Sequence, residues 1–249
     1  MVPTEVASFG RELARRLAEA LGGGLVGAYF VGSVALGGYV ADESDIVGVS
    51  EHQVPAGAKL LVADAVLGCT TDCPARGLEF TLYRQEIAGA PPRGADFEVN
   101  ANGGPRMARS VHLDPGAEPG FWYIIDRAVA HRAGIAIVGL PERQVFAEVP
   151  RDALFAAMKD SMRWHRDHEG TTLYSVLNGS RAWRFAAEDA LGSKLEGAAW
   201  ARPRWANPGL IDSAVALRHG QHADLPAPQV DELLEYVEGV LSNALEERR

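Results

Sequence analysis

Leu25-Val26-Gly27-Ala28-Tyr29-Phe30-Val31 runs straight into Gly32-Ser33, and eleven residues after that serine the chain reads Ser44-Asp45-Ile46-Val47. The first stretch is apolar and rich in strand formers, so it predicts a buried strand. A glycine directly after a strand lets a ligand approach the backbone, because no side chain intervenes. The residues that follow open a short helical segment, whose first amides favour an anion. The Ser33 hydroxyl adds a donor. Asp45 then stands at the head of a second short strand, Ile46 to Val49, where a sheet presents ligands at its rim. A hard divalent cation takes carboxylate oxygens, so the order reads as a phosphate turn followed by a metal-binding carboxylate.

Outward from this centre, a helix is expected from Thr4, as its cap, with apolar positions at Val6, Phe9, Leu13, Leu17 and Leu21, ending at Gly22-Gly23-Gly24. A helix is predicted over Ala56 to Ala65. The alternating Leu78-Glu79-Phe80-Thr81-Leu82-Tyr83 predicts a strand. Glu79 on that strand can lie opposite Asp45 and act as a general base toward a hydroxyl. Prolines and glycines crowd Ala88 to Pro119, which is expected to be loop-rich. Phe121 to Arg132 reads as a helix and Ile135 to Gly139 as a short strand.

Beyond Pro150 the character changes. Arg151 to Arg166, Thr171 to Ala190, Lys194 to Trp200, Leu210 to His219 and Val230 to Glu247 all read as helices, the last with one continuous apolar face. The predicted class is α+β: an N-terminal domain over residues 1–145 with a mixed sheet and flanking helices, and a C-terminal helical bundle over 146–249.

Composition narrows the partners. The 249 residues carry a formal net charge of −9, which argues against a general nucleic-acid binder. An acidic balance suits a cationic small molecule. No apolar run reaches the roughly 20 residues of a membrane span, and no signal peptide is visible, so a cytoplasmic protein is expected. Cys69 and Cys73 read as two free thiols. Trp164-His165-Arg166-Asp167-His168-Glu169 has the look of a metal cluster, but a complementary ligand group is missing, and a surface helix is the better reading. Trp183, Phe185, Trp200 and Trp205 are spaced for packing between helices.

Taken together, these pieces resemble the aminoglycoside 3''/9-adenylyltransferases, the streptomycin and spectinomycin adenylyltransferases within the DNA polymerase beta-like nucleotidyltransferase superfamily. The resemblance rests on Gly32-Ser33-Val34-Ala35-Leu36-Gly37-Gly38, Ser44-Asp45-Ile46, Leu78-Glu79-Phe80-Thr81-Leu82, Ile125-Asp126-Arg127-Ala128, Ile137-Val138-Gly139, Ser180-Arg181-Ala182-Trp183 and Ser193-Lys194 to Trp200. It implies a nucleotidyltransferase fold for the first domain and transfer of AMP from ATP, with Mg2+, to a drug hydroxyl. It also implies roles. Gly32, Ser33 and Ser44 would contact nucleotide phosphates, Asp45 would bind the metal, and Glu79 would be the catalytic base. Asp126 would lie near nucleotide and drug, and Arg181 and Lys194 would reach the triphosphate.

The chain departs from the family pattern at two places. The pattern reads Ser-Asp-X-Asp, and its second aspartate is Val47 here. Valine cannot coordinate a metal. Three explanations stand: a non-catalytic relative that binds nucleotide or drug, an enzyme recruiting Asp42, Glu43 or Glu79 as substitute ligand, or a substitution in an otherwise active enzyme. On the acceptor side, streptomycin-modifying members carry a tryptophan before the Asp126 helix and an aspartate where this chain has Thr171. The corresponding loop here, Asn102-Gly103-Gly104-Pro105-Arg106, has no tryptophan, so a spectinomycin-like acceptor is favoured. Glu98, Asp167 and Glu169 are further candidate acidic contacts.

Overall fold

The computed structural model describes residues 2–39 and 44–246, with the side chain of Ser44 excepted. Asp42 and Glu43, two of the three substitute ligands considered above, lie outside the described residues, as do Glu247 to Arg249. The chain divides into two compact units, residues 1–150 and 151–249.

The first unit is built on a six-stranded sheet in the order β5-β4-β3-β2-β1-β6. Its strands are β1 (Leu25–Phe30), β2 (Ser44–Ser50), β3 (Leu78–Arg84), β4 (Val99–Gly104), β5 (Met107–His112) and β6 (Ile135–Gly139). Only β2 and β3 pair in parallel; β1 pairs antiparallel with β2 and β6, and β4 pairs antiparallel with β3 and β5. A parallel pair needs a crossover, and helix α3 (Ala56–Leu67) lies in the segment that makes it. The other helices of this unit are α1 (Thr4–Ala20), the four-residue α2 (Gly32–Ala35), α4 (Gln85–Ala88), α5 (Gly120–Ala133) and α6 (Glu142–Val145).

Successive strand residues face opposite sides of a sheet. Ile46, Leu78, Phe80, Leu82, Val99 and Ala101 therefore share one face. They bury it with Val6, Phe9, Leu13 and Leu17 of α1 and Val62, Ala63 and Val66 of α3. That cluster is the main core of the unit.

Two expectations are corrected here. Thr4 does not cap α1: it is the first helical residue, Pro3 holds the cap position, and no side chain bonds there. The region Ala88 to Pro119 is loop-rich over residues 89–98 as expected, but it also holds two strands that were not expected, β4 and β5. Val-Asn-Ala-Asn-Gly-Gly has poor strand propensity, and β4 is held by pairing on both sides. A Cβ at Gly104 would come 2.2 Å from the Gly77 Cα, so the glycine there permits a close backbone approach.

The second unit is helical: α7 (Arg151–Trp164), α8 (Leu173–Glu188), α9 (Lys194–Ala201), α10 (Pro208–Arg218) and α11 (Ala227–Glu246). Val230, Leu233, Leu234, Val237 and Leu241 recur at helical spacing and bury one face of α11. Leu154, Phe155, Met158 and Met162 of α7 and Val176, Leu177 and Phe185 of α8 are buried as well. Phe155 and Phe185 meet at 5.3 Å between ring centroids. Trp183 is edge-on to Trp200, Trp205 and Tyr236, so these aromatics pack against one another. Cys69 and Cys73 are buried and free, and burial raises both thiol pKa values.

Candidate functional site

The second face of the sheet is polar where the first is apolar. Parallel register sets Asp45 of β2 beside Glu79 of β3, and antiparallel register continues that row to Asn102 and Ser110. The next row reads Tyr29, Val47, Thr81, Asn100 and His112. Asparagine amides tie the rows together. Asn100 Nδ2 donates to Thr81 Oγ1 at 3.1 Å, and Asn102 Nδ2 donates to Asn100 Oδ1 at 2.9 Å. Asn102 Oδ1 in turn accepts the Phe80 backbone N–H at 3.2 Å. Each amide is bonded within this lattice, so the floor beside the two carboxylates is rigidly specified.

Gly32 has φ +52, in the left-handed region, and opens the turn after β1. A Cβ there would fall 1.5 Å from Asp45 Oδ2, a complete overlap. The Val31 N–H donates to the Asp45 carbonyl at 3.0 Å, which locks the turn to the start of β2. The sequence-predicted Gly32, Ser33 and Asp45 are thus brought together, and glycine is required at the first because the aspartate carboxylate occupies the space. Ser33 and Asp45 are half-buried, while Glu79 is exposed.

Helix α5 overlies this face through Arg127, which is 2% exposed. Its guanidinium lies 5.6 Å from the centroid of the Tyr83 ring. It also donates to the carbonyls of Ile87, Ala88 and Ala90. Burial lowers its pKa. With Arg127 anchored, its neighbour Asp126 is exposed. Burial first, then the carboxylates of Glu118, Asp126 and Glu79, push the Tyr123 hydroxyl well above its ordinary range. Three acidic groups therefore converge electrostatically on one buried tyrosine. Glu118 is also paired with His112 Nδ1 at 2.6 Å.

Val47 and Glu98 are both buried. Val47 is 2% exposed and packed into the polar face between Tyr29 and Thr81, at the position where the family pattern has its second carboxylate. Glu98 is buried and paired with Lys59 at 2.9 Å, so its charge is already met and it is not an outward acidic contact. Among the described residues, no three His, Cys, Asp or Glu side chains are grouped to hold a metal ion.

Arg181 and Lys194 both lie in the second unit, on α8 and at the start of α9. Ser193 caps α9 in a reciprocal capping box with Glu196, which fixes where Lys194 leaves the backbone. A Cβ at Gly197 would lie 2.7 Å from the Arg181 Cα, so glycine lets α9 approach α8 at that arginine. Lys194 Nζ sits 4.7 Å from the centroid of the Tyr174 ring.

The segment first read as a surface helix with two histidines is different from expectation. His165–Glu169 forms a π-helical turn, and His165 is 1% exposed. Its Nδ1 is 2.6 Å from Glu169 Oε2 and its Nε2 is 3.0 Å from Asn178 Nδ2. Sequence reasoning missed Asn178, although its i, i+3 spacing to Arg181 on one helix was readable.

Residues 144–243 match the family model described as "Aminoglycoside adenylyltransferase, C-terminal domain". No curated protein matches the chain by sequence. Among solved structures, the fold is similar to that of the spectinomycin adenyltransferase AAD(9) from Enterococcus faecialis, determined with ATP and spectinomycin. The TM-score is 0.71 at 15% identity, covering 94% of this chain and 98% of that one. The chain thus resembles the aminoglycoside adenylyltransferases by sequence over its helical unit and by fold over nearly its whole length. No helix among the described residues is long and apolar enough to cross a membrane.

Proposed function

We propose that this protein is an aminoglycoside-type O-nucleotidyltransferase of the cytoplasm, moving AMP from MgATP to a hydroxyl of an aminocyclitol, spectinomycin-like rather than streptomycin-like. The observation that carries the reading is the in-register pair Asp45 and Glu79 on a polar sheet face, with the Gly32 turn packed against the aspartate. The likeness to a structure holding ATP and spectinomycin supports both ligands.

In this reading Gly32, Ser33 and Ser44 bind nucleotide phosphates. Asp45 holds Mg2+, and one or two carboxylates with phosphate oxygens suit that ion. When bound, Mg2+ offsets triphosphate charge. Arg181 and Lys194, on the helical unit, are cationic groups suited to a polyphosphate. Glu79, exposed on its strand, takes the proton from the acceptor hydroxyl as its oxygen bonds to the α-phosphorus. The bond from the α-phosphorus to the bridging oxygen breaks, and pyrophosphate leaves. Asp126 adds negative charge toward a cationic acceptor. Catalysis then rests on positioning and charge neutralisation.

A second reading is favoured by Val47: a relative that binds nucleotide or drug and turns over poorly. Val47 offers no oxygen at a buried position on the same face as Asp45. Calorimetric titration with MgATP and then spectinomycin, followed by a pyrophosphate assay, separates the two. Drug-dependent pyrophosphate release supports the transferase. Binding without release supports the impaired relative, and no binding of either ligand removes both.

A further inference from the structure

Buried polar side chains cost free energy unless each is bonded. One such group outside the sheet face lies in the helical unit. His165 is enclosed, with Glu169 on its Nδ1 side and Asn178 on its Nε2 side. The Asn178 amide nitrogen faces Nε2, so Nε2 accepts and the ring proton sits on Nδ1, donated to Glu169. The amide orientation is fixed independently by Arg181, whose Nη2 can only donate and meets Asn178 Oδ1 at 3.3 Å. At the other end Glu169 Oε2 also accepts from Thr172 Oγ1 at 3.1 Å, and Thr172 caps α8. The His165 bond, ahead of a smaller contribution from Lys194, holds the Glu169 carboxyl below its ordinary range, which keeps it ionised.

The backbone is shaped for this contact. The His165–Glu169 turn is π-helical, and Gly170, at φ +59, returns its N–H to the His165 carbonyl at 2.8 Å. Such turns widen a helix and recur at functional sites. The result is a chain of four polar groups, Glu169, His165, Asn178 and Arg181, that runs from an enclosed histidine to a half-buried guanidinium.

We propose that Glu169, His165 and Asn178 form a positioning relay that fixes the Arg181 guanidinium for a nucleotide polyphosphate. The role of Arg181 itself rests on the functional reading above. The relay lowers the entropy an arginine loses when it binds, and it selects one orientation of a planar donor fork.

The test is MgATP titration of the full-length chain. Asn178→Ala should weaken binding about tenfold, the scale of one lost hydrogen bond to a charged group. His165 separates positioning from packing. Gln at 165 places an acceptor where Nε2 was, and Asn places a donor where Nδ1 was. H165Q, which keeps the Asn178 bond and loses the Glu169 one, should bind between the parent and H165N, whereas H165N should fall to the level of N178A. The double variant R181A/N178A should bind no more weakly than R181A.

Additive losses in that pair would overturn the relay, as would H165N and H165Q binding alike. Should N178A not fold by thermal melting, the H165N and H165Q comparison decides. An R181A variant that binds MgATP as well as the parent would show instead that Arg181 is not a nucleotide contact. That outcome sinks the functional role of Arg181, and the purpose of the relay with it, whatever the histidine variants do.

Discussion

On one face of β2 and β3, Ile46, Phe80 and Leu82 are closed off from water by α1 and α3. On the other, Asp45 and Glu79 stand in register within a lattice of hydroxyls and amides. The same two strands therefore carry stability on one side and chemistry on the other. The alternation costs nothing in backbone design, since period-two geometry alone sorts the residues. It also means that the two faces should fail differently when altered.

The largest separation is expected from Glu79→Gln. It keeps shape and removes the proton acceptor. Transfer should drop by about 100-fold or more, with MgATP affinity and melting temperature near parental. Retained activity in a pyrophosphate assay would show that Glu79 is not the base. Phe80→Ala, one residue along, should do the reverse. A large core truncation costs about 3–5 kcal/mol, read as a lower denaturant midpoint with an unchanged slope. If stability barely moved, the apolar face would not be the main core of this unit.

Much of this comparison could be read before any coordinates. Leu78 to Tyr83 alternates plainly enough to assign faces, and Ser44-Asp45-Ile46 follows a glycine turn at suggestive spacing. Register was not readable, because it depends on which strands neighbour one another. Only the parallel pairing of β2 with β3 puts Asp45 beside Glu79. Strands β4 and β5 were hidden for a related reason: Asn102, Gly103 and Gly104 have low strand propensity, and pairing overrides it. His165 was read as exposed because a polar hexapeptide around it looks like a solvated helix. Its burial follows from partners at Glu169 and Asn178, and Asn178 is thirteen residues away.

Val47→Asp sharpens the contrast at the apolar residue next along that face from Asp45. The position is 2% exposed on the polar face, so an added carboxylate without metal should destabilise the fold by about 1–3 kcal/mol, the cost of an unsatisfied buried polar group. Mg2+ should return part of that loss, because a ligand that binds only the folded state stabilises it. Turnover should rise if the missing ligand limits the reaction. Thermal melting with and without Mg2+, beside a pyrophosphate assay, reads both. A variant whose melting ignores Mg2+ would show that position 47 does not face the metal site.

Gly32→Ala asks whether the turn and the carboxylate act as one part. At φ +52 an alanine is strained by about 1–2 kcal/mol. Strain alone would lower the melting temperature and leave the ligands of Asp45 untouched. The geometry demands more than that, because the new methyl would overlap Asp45 Oδ2 and force the carboxylate aside. MgATP affinity should therefore fall further than stability does. A control at Gly37, also at positive φ but with no atom of the described residues beyond its chain neighbours within 4 Å of an added Cβ, should lose stability alone. If both alanines weaken MgATP equally, the turn acts through its backbone conformation, and the contact between Gly32 and Asp45 has no separate role.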